Sequence, residues 1–397
     1  MDRIGIFGGS FNPPHVGHIR AAVRCAEQLE LSRVLLIPAR QTPWKELPED
    51  APTPEQRLAM TRLAAEESPL LAVSDLEISS PGKSYTWQTI RQLRERYPRE
   101  ELVLLVGTDM LCSLPEWRDA DQILREASVA VLPRGGKQER QRIAEGTDNL
   151  RRMGGRVCTV DCDPCEISST QLRRLLAFRC ASEFLSPAVE GYIRENGLYH
   201  TADNWKNLPL ERLEQVVISL LNPNRVRHVL GCRDTAVELA KRWGADVTDA
   251  ARAGLLHDIT KALDGPLQLT LCRAYGTLLD DFSRKYPKTL HAMTGSLVAQ
   301  RIFGENEAVV SAIRNHTTGK ADMNLLETII YVADYMEPNR DFPGVERLRG
   351  LAYTDLQGAL RLGLEMTLEH LKDQGSEVSP ESRQALEWLN RKEMKEC

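Results

Sequence analysis

The sequence has no excess of basic charge, no apolar run long enough to cross a membrane, and no apolar segment near its start of the kind that directs secretion. Over 397 residues the formal net charge is −5, which argues against a dedicated nucleic-acid binder. Any anionic ligand must then be held by local clusters. The 9 cysteines come without a secretory segment, so the expectation is reduced thiols and a cytoplasmic, non-membrane protein. Cys162-Asp163-Pro164-Cys165 has no second pair and reads as incidental. The remaining composition, 42% hydrophobic and 27% charged, is that of a globular chain long enough for two or three domains.

The most informative stretch is Gly8-Gly9-Ser10-Phe11-Asn12-Pro13-Pro14-His15-Val16-Gly17-His18. An apolar run, Ile4-Gly5-Ile6-Phe7, precedes it, and Ile19, Ala22, Val23, Ala26 and Leu29 follow at helical spacing. The segment is strand, glycine-rich turn, helix. Glycines let the backbone approach a phosphate, and a helix N-terminus offers free N–H groups and a positive dipole end. His15 and His18, three apart, can face one side of the first turn and donate to phosphate oxygens as charge develops. The turn lacks both the Gly-Lys-Ser/Thr of a Walker loop and the spaced three-glycine dinucleotide fingerprint.

Further apolar runs at 34–37, 102–106, 129–132 and 157–160, with a strand-like stretch at 71–78, alternate with helical patterns. This predicts a doubly wound parallel sheet, Rossmann-like, with ligands at the strand C-terminal ends. Gly8, Gly9, Ser10 and Phe11 would lie there, as would Gly107-Thr108-Asp109 and Arg134. Ile167-Ser168-Ser169-Thr170-Gln171-Leu172-Arg173 supplies hydroxyls, helix N–H groups and a guanidinium, a second anion cradle.

Together these motifs, with Ser84-Tyr85-Thr86, Val106-Gly107-Thr108-Asp109, Trp117 and the text at 191–199, make the first 200 residues resemble bacterial nicotinate-mononucleotide adenylyltransferases. The resemblance implies that ATP, carrying Mg²⁺, and nicotinate mononucleotide give deamido-NAD and pyrophosphate by in-line attack. His15 and His18 would hold the reacting phosphates, and Ser169, Thr170 and Arg173 the departing pyrophosphate. Asp109 would take a ribose, and Thr86 and Trp117 the pyridine ring. Where relatives carry Pro-His-Lys this chain reads Pro43-Trp44-Lys45, which leaves Lys45 as the phosphate cation of that loop.

After residue 203 the pattern changes: 204–209 reads as a linker, and 210–397 shows helical periodicity with no convincing strand. An all-α second domain follows. It holds His228, His257-Asp258, His291 and His316, and Asp334 within the apolar text Tyr331-Val332-Ala333-Asp334-Tyr335. A carboxylate so flanked is costly to bury without a cation. Imidazoles mixed with carboxylates suit Fe, Mn or similar metals, and six candidate ligands suit two ions.

The order His…His-Asp…Asp resembles the HD phosphohydrolase superfamily, and the text around 286–291, 316–319 and 334–340 resembles its YqeK-type subgroup. That implies a dinuclear iron-type centre on His228, His257, Asp258, His291, His316 and Asp334. It also implies symmetrical hydrolysis of diadenosine tetraphosphate to two ADP, with Asp258 catalytic and Lys261 and Arg340 as phosphate cations. The expectation is a bifunctional enzyme acting on small nucleotides, compatible with a homo-oligomer. The alternative keeps the adenylyltransferase but makes the second half a regulatory nucleotide-binding module or a hydrolase of another nucleotide.

Overall fold

Runs of apolar residues with no polar face can only be buried on both sides, and in the first 203 residues they pair into one parallel sheet. The computed structural model describes residues 2–396 except 44–46, 48, 49, 134, 136, 137 and 163–166, with 393–396 as backbone only. Two compact units divide it, Met1–Asp203 and Asn204–Cys397.

The strands of the first unit are β1 (Arg3–Gly9), β2 (Arg33–Pro38), β3 (Leu71–Val73), β4 (Glu101–Gly107), β5 (Ala127–Leu132) and β6 (Val157–Thr159). Their order across the sheet is β3-β2-β1-β4-β5-β6, every pair parallel. This is the doubly wound arrangement, and its order reverses between β1 and β4, where Ile4 lies opposite Leu102 and Ile6 opposite Leu104. The helices are α1 (Val16–Gln28), α2 (Pro54–Ala65), α3 (Thr86–Arg96), α4 (Thr108–Ser113), α5 (Ala120–Glu126), α6 (Glu139–Arg152), α7 (Ser169–Ala177) and α8 (Pro187–Glu195). The stretch 71–78, expected as a strand throughout, pairs only as far as Val73. Ser74 and Asp75 then leave the ladder, and residues 76–80 turn.

In the second unit the described residues form helices and no strand. They are α9 (Leu210–Leu220), α10 (Pro223–Trp243), α11 (Val247–Leu256), α12 (Gly265–Ala274), α13 (Asp281–Lys285), α14 (Leu290–Val298), α15 (Glu307–Asn315), α16 (Leu325–Met336), α17 (Val345–Ala352), α18 (Leu356–Asp373) and α19 (Pro380–Glu396). Helix α10 ends at Gly244, whose φ of +79° closes it in the left-handed region that glycine enters freely. Helices α10, α11, α15 and α16 pack on one another, and α14 joins them through α15. At the unit's start Trp205 is buried and stacks on Phe303, with ring centroids 5.6 Å apart. Among the described residues no helix is long and apolar enough to cross a membrane.

Candidate functional site

The 8–18 turn leaves β1 at the point where the sheet order reverses, so its backbone and α1's N-terminus open into the crevice between β1 and β4. Phe11 adopts φ +42° and is 1% exposed, its ring edge-on to both Phe7 and His18. The His15 and His18 rings lie 3.7 Å apart between centroids. The His15 backbone N–H donates to His18 Nδ1 at 3.3 Å, so the outer proton of His18 sits on Nε2, where it can be given to an anion.

Three side chains from distant segments hold this turn. Arg57, 1% exposed on α2, donates to Ser10 O at 2.7 Å and to Arg40 O at 2.9 Å. Arg173 donates to Asn12 O at 2.9 Å and to Thr170 Oγ1 at 3.1 Å, which joins the 167–173 segment to the 8–18 turn. Tyr199 donates to Asn12 Oδ1 at 2.6 Å. Ser168 caps α7 by accepting from the Gln171 N–H, so Ser169 and Thr170 occupy the first helical turn with their N–H groups outward.

Thr86 opens α3, and Arg118, next to Trp117, lies over the rings of Tyr85 at 5.4 Å and Trp87 at 5.9 Å. The Trp117 loop is thereby brought to the start of α3. Trp117 Nε1 donates to Ser113 Oγ at 3.2 Å. Gly107 is the N-cap of α4, and Asp109 forms an exposed ion pair with Arg142 at 2.7 Å. An exposed pair of that kind is worth no more than about 1 kcal/mol, so it leaves the carboxylate able to exchange partners. Lys45 and Arg134 lie outside the described residues, as does Cys165 of the Cys162 pair.

In the second unit all six candidate ligands converge from five helices: His228 on α10, His257 and Asp258 just past α11, His291 on α14, His316 just past α15, and Asp334 on α16. His228 Nε2 lies 3.1 Å from both His257 Nε2 and Asp334 Oδ1. Asp258 faces two ways. Its Oδ2 is 3.6 Å from His228 Nε2 and 3.5 Å from His257 Nε2, while its Oδ1 is 3.5 Å from His291 Nε2 and 3.8 Å from His316 Nε2.

Every imidazole points Nε2 inward because its Nδ1–H is given to an acceptor behind it. His257 donates to Gly254 O at 2.8 Å, His291 to Lys288 O at 2.9 Å and His316 to Ile313 O at 2.6 Å. Gly254 and Ile313 sit in the last turns of α11 and α15, where carbonyls lack the usual i+4 amide partner. His228 donates instead to a carboxylate, Glu337 Oε1, at 3.1 Å. Gly254 also lets α11 approach α10, since a Cβ there would stand 2.7 Å from the Arg233 Cα.

This donor set fits divalent metal. Four imidazole Nε2 atoms and both carboxylates converge, and Asp258 Oδ1 is buried with no hydrogen-bond donor among the described residues. Burial works against charge on Asp258 and Asp334, yet the surrounding imidazoles and the cations Lys261 and Arg340 hold both carboxyls well below the usual carboxylate range. Burial, with the Lys261 ammonium beside it, pulls the His291 imidazole down to about 3, so it stays neutral and able to ligate. Arg225 donates to Asp258 Oδ2 at 2.6 Å, Arg340 to Asp334 Oδ1 at 2.7 Å, and Lys261 Nζ lies 2.9 Å from His291 Nε2.

Arg225 and Thr317, whose Oγ1 is 3.1 Å from both His291 Nε2 and His316 Nε2, belong to this site and were not legible as such in the sequence. In the first unit the same holds for Asn12 as the anchor of the turn. Their residue types are common, and only the packing of helices far apart in the chain brings them in.

Residues 6–175 match the cytidylyltransferase-like family and residues 225–339 the HD domain family. A Mycoplasma pneumoniae protein named as a probable nicotinate-nucleotide adenylyltransferase/Ap4A hydrolase is 28% identical over 92% of this chain and 98% of its own length. Probable nicotinate-nucleotide adenylyltransferases of Pseudomonas syringae and Roseiflexus are 36% and 40% identical, covering 50% and 49% of this chain and 93% and 97% of their own. A Clostridium acetobutylicum crystal structure, described as a predicted HD superfamily hydrolase involved in NAD metabolism, is 35% identical over 47% of this chain and 98% of its own, with a TM-score of 0.46.

Proposed function

The chain belongs to the bacterial nicotinate-nucleotide adenylyltransferases through its first unit and carries an HD domain in its second, and on that basis we propose a bifunctional nucleotide enzyme. In the first unit, a phosphate oxygen of nicotinate mononucleotide attacks the α-phosphorus of ATP. The bond to the β-phosphate oxygen breaks, and pyrophosphate departs with the electron pair. No covalent enzyme intermediate is needed, so the work is positioning and charge stabilisation. Observations supporting this are the two histidines in ring contact at the turn and the guanidinium of Arg173 bridging that turn to α7. His18 donates a hydrogen bond from its Nε2–H to a phosphate oxygen, and the α7 N–H groups with Ser169 and Thr170 receive the pyrophosphate. Mg²⁺ arrives with ATP.

In the second unit we assign symmetrical hydrolysis of diadenosine tetraphosphate to two ADP. The single observation that carries it is Asp258, which presents one oxygen to His228 and His257 and the other to His291 and His316. His228, His257, Asp258, His291, His316 and Asp334 would hold two divalent ions of the Fe or Mn type, which would supply Lewis-acid polarisation of a phosphate and an activated water. Arg225, Lys261 and Arg340 reach the site as cations and exchange a carboxylate or imidazole for the polyphosphate. An adenylyltransferase whose acceptor is ATP itself makes diadenosine tetraphosphate and pyrophosphate, which gives the pairing chemical sense.

The test is to incubate the full-length, metal-loaded protein with diadenosine tetraphosphate and separate the nucleotides. ADP as the sole product supports the assignment; AMP with ATP contradicts the symmetrical cut. No turnover with any of several divalent metals would favour a regulatory binding module. Parallel kinetics with nicotinate and nicotinamide mononucleotide decide the acceptor.

A further inference from the structure

The two halves of the HD site are built unequally. One half has four inward donors: His228 Nε2, His257 Nε2, Asp334 Oδ1 and Asp258 Oδ2. The other has three: His291 Nε2, His316 Nε2 and Asp258 Oδ1. The first half thus holds a carboxylate of its own beside the shared one, and the second has only the shared one.

The layer behind the ligands differs in the same direction. Three histidines give Nδ1–H to neutral carbonyls, and only His228 gives it to a carboxylate. Glu337 is 1% exposed and rigidly held, since Asn339 donates to its Oε2 from both backbone N and Nδ2 at 2.8 Å. Space for it is reserved by Gly231, one turn after His228 on α10, where a Cβ would stand 2.4 Å from Glu337 Oε2. A carboxylate drawing on Nδ1–H puts electron density on Nε2 and fixes the ring's orientation, which strengthens a metal bond. Facing the second half is the Lys261 ammonium at 2.9 Å from His291 Nε2, a positive charge beside a position meant for a cation. Arg225 and Arg340 face the first half, each on one of its carboxylates, and both side chains are partly exposed and have solvent to move into.

We infer that the two halves load in order: the His228–His257–Asp334–Asp258 half, braced by Glu337, binds its ion tightly, and the His291–His316–Asp258 half holds a second, exchangeable ion. Glu337 is a positioning residue in this account, acting through His228, and Gly231 is the space that admits it. The inference rests on the metal-centre reading given above. It also separates two roles: the tight ion organises the site, and the exchangeable one comes and goes within reach of the polyphosphate and Lys261.

The experiment is calorimetric titration of the full-length, metal-stripped protein with Mn²⁺, together with metal content per chain after gel filtration. Two binding classes at least tenfold apart are expected, with one ion retained through the column. Glu337→Ala should weaken the tight class by about 10- to 100-fold, the range for loss of such a partner. Glu337→Gln, which keeps an acceptor but no charge, should fall between. Lys261→Met should tighten the weak class and leave the tight one unchanged, and this variant stands as the test if Glu337→Ala does not fold. His316→Ala should delete the weak class alone. Two classes of equal affinity, or Glu337→Ala weakening the second class, would overturn the inference while leaving the metal centre in place. No Mn²⁺ binding at all would overturn the metal-centre reading with it.

Discussion

Tyr199 donates its hydroxyl to Asn12 Oδ1 at 2.6 Å, joining the last segment of the first unit to the glycine-rich turn near its start. Tyr199 holds a φ of +54°, in the left-handed region that a bulky residue enters only when its surroundings compel it. The turn is therefore shaped by residues at both ends of the unit as well as by its own glycines.

Tyr199→Phe should cost the first unit about 1–3 kcal/mol, because the Asn12 amide oxygen is left buried without its donor. Adenylyl transfer should fall about tenfold to a hundredfold through misplacement of the turn. Burial pushes the Tyr199 hydroxyl above its ordinary value, so the phenol stays protonated and its stabilising effect is fully present below about pH 10. The gap between wild type and variant in denaturant titrations should therefore be constant from about pH 6 to about pH 9. A gap that closes within that range would contradict this role.

Arg57 bonds two backbone carbonyls while buried on α2, one of them Ser10 O in the turn. Replacing it with Met of similar length removes two charge-assisted bonds and orphans both carbonyls, at a cost of about 2–5 kcal/mol. The apparent KM for ATP should rise, while hydrolysis by the second unit should be unaffected. Steady-state kinetics of both reactions on the same preparation checks this.

Much of the first unit is legible in its sequence because a strand buried on both faces leaves an uninterrupted apolar run, as in Leu102-Val103-Leu104-Leu105-Val106. The edge strand β3 reads too long in the sequence, since Leu76 and Ile78 continue the apolar pattern while its ladder with β2 ends at Val73. The candidate metal ligands stand out by residue type: His and Asp inside apolar text have few other reasons to be there. Glu337 and Gly231 do not, because their meaning is a distance between α10 and the end of α16. The ribose role expected for Asp109 is likewise a matter of distance, and in the structure that carboxylate meets Arg142.

Glu327 ties α16 to the end of α15, just before His316. Its fully buried carboxylate accepts from the Lys320 ammonium at 2.8 Å, Asn315 Nδ2 at 3.0 Å and the Asn324 N–H at 2.8 Å. Burial opposes its charge, yet Lys320 and Ser311 hold its pKa below the ordinary value. A lowered carboxyl stabilises the fold above its unfolded pKa of about 4.3 and loses that contribution as pH falls through the folded value. Glu327→Gln should destabilise the second unit by about 1–3 kcal/mol at neutral pH, with the difference shrinking on acidification below about pH 4. Thermal melts across pH measure it, and a difference that grows with acid would refute the sign.

Metal should stabilise one unit only. Mn²⁺ at about 100 times its dissociation constant should add about 2.7 kcal/mol to the second unit, and a chelator should remove it. The first unit has no comparable ligand set among its described residues, so its unfolding should be indifferent to Mn²⁺. Hydrogen exchange, resolved by peptide, separates the two. Protection gained equally in both units would contradict the assignment.

The central claim is that one chain carries two chemically independent active sites. Its most direct measurement is the crossed pair His18→Ala and Asp258→Asn in the full-length protein, each assayed for deamido-NAD formation and for cleavage of diadenosine tetraphosphate. The account predicts that His18→Ala loses about 100- to 1,000-fold of adenylyl transfer and keeps hydrolysis, and that Asp258→Asn does the reverse. If either substitution silences both reactions, or neither silences its own, the account is contradicted.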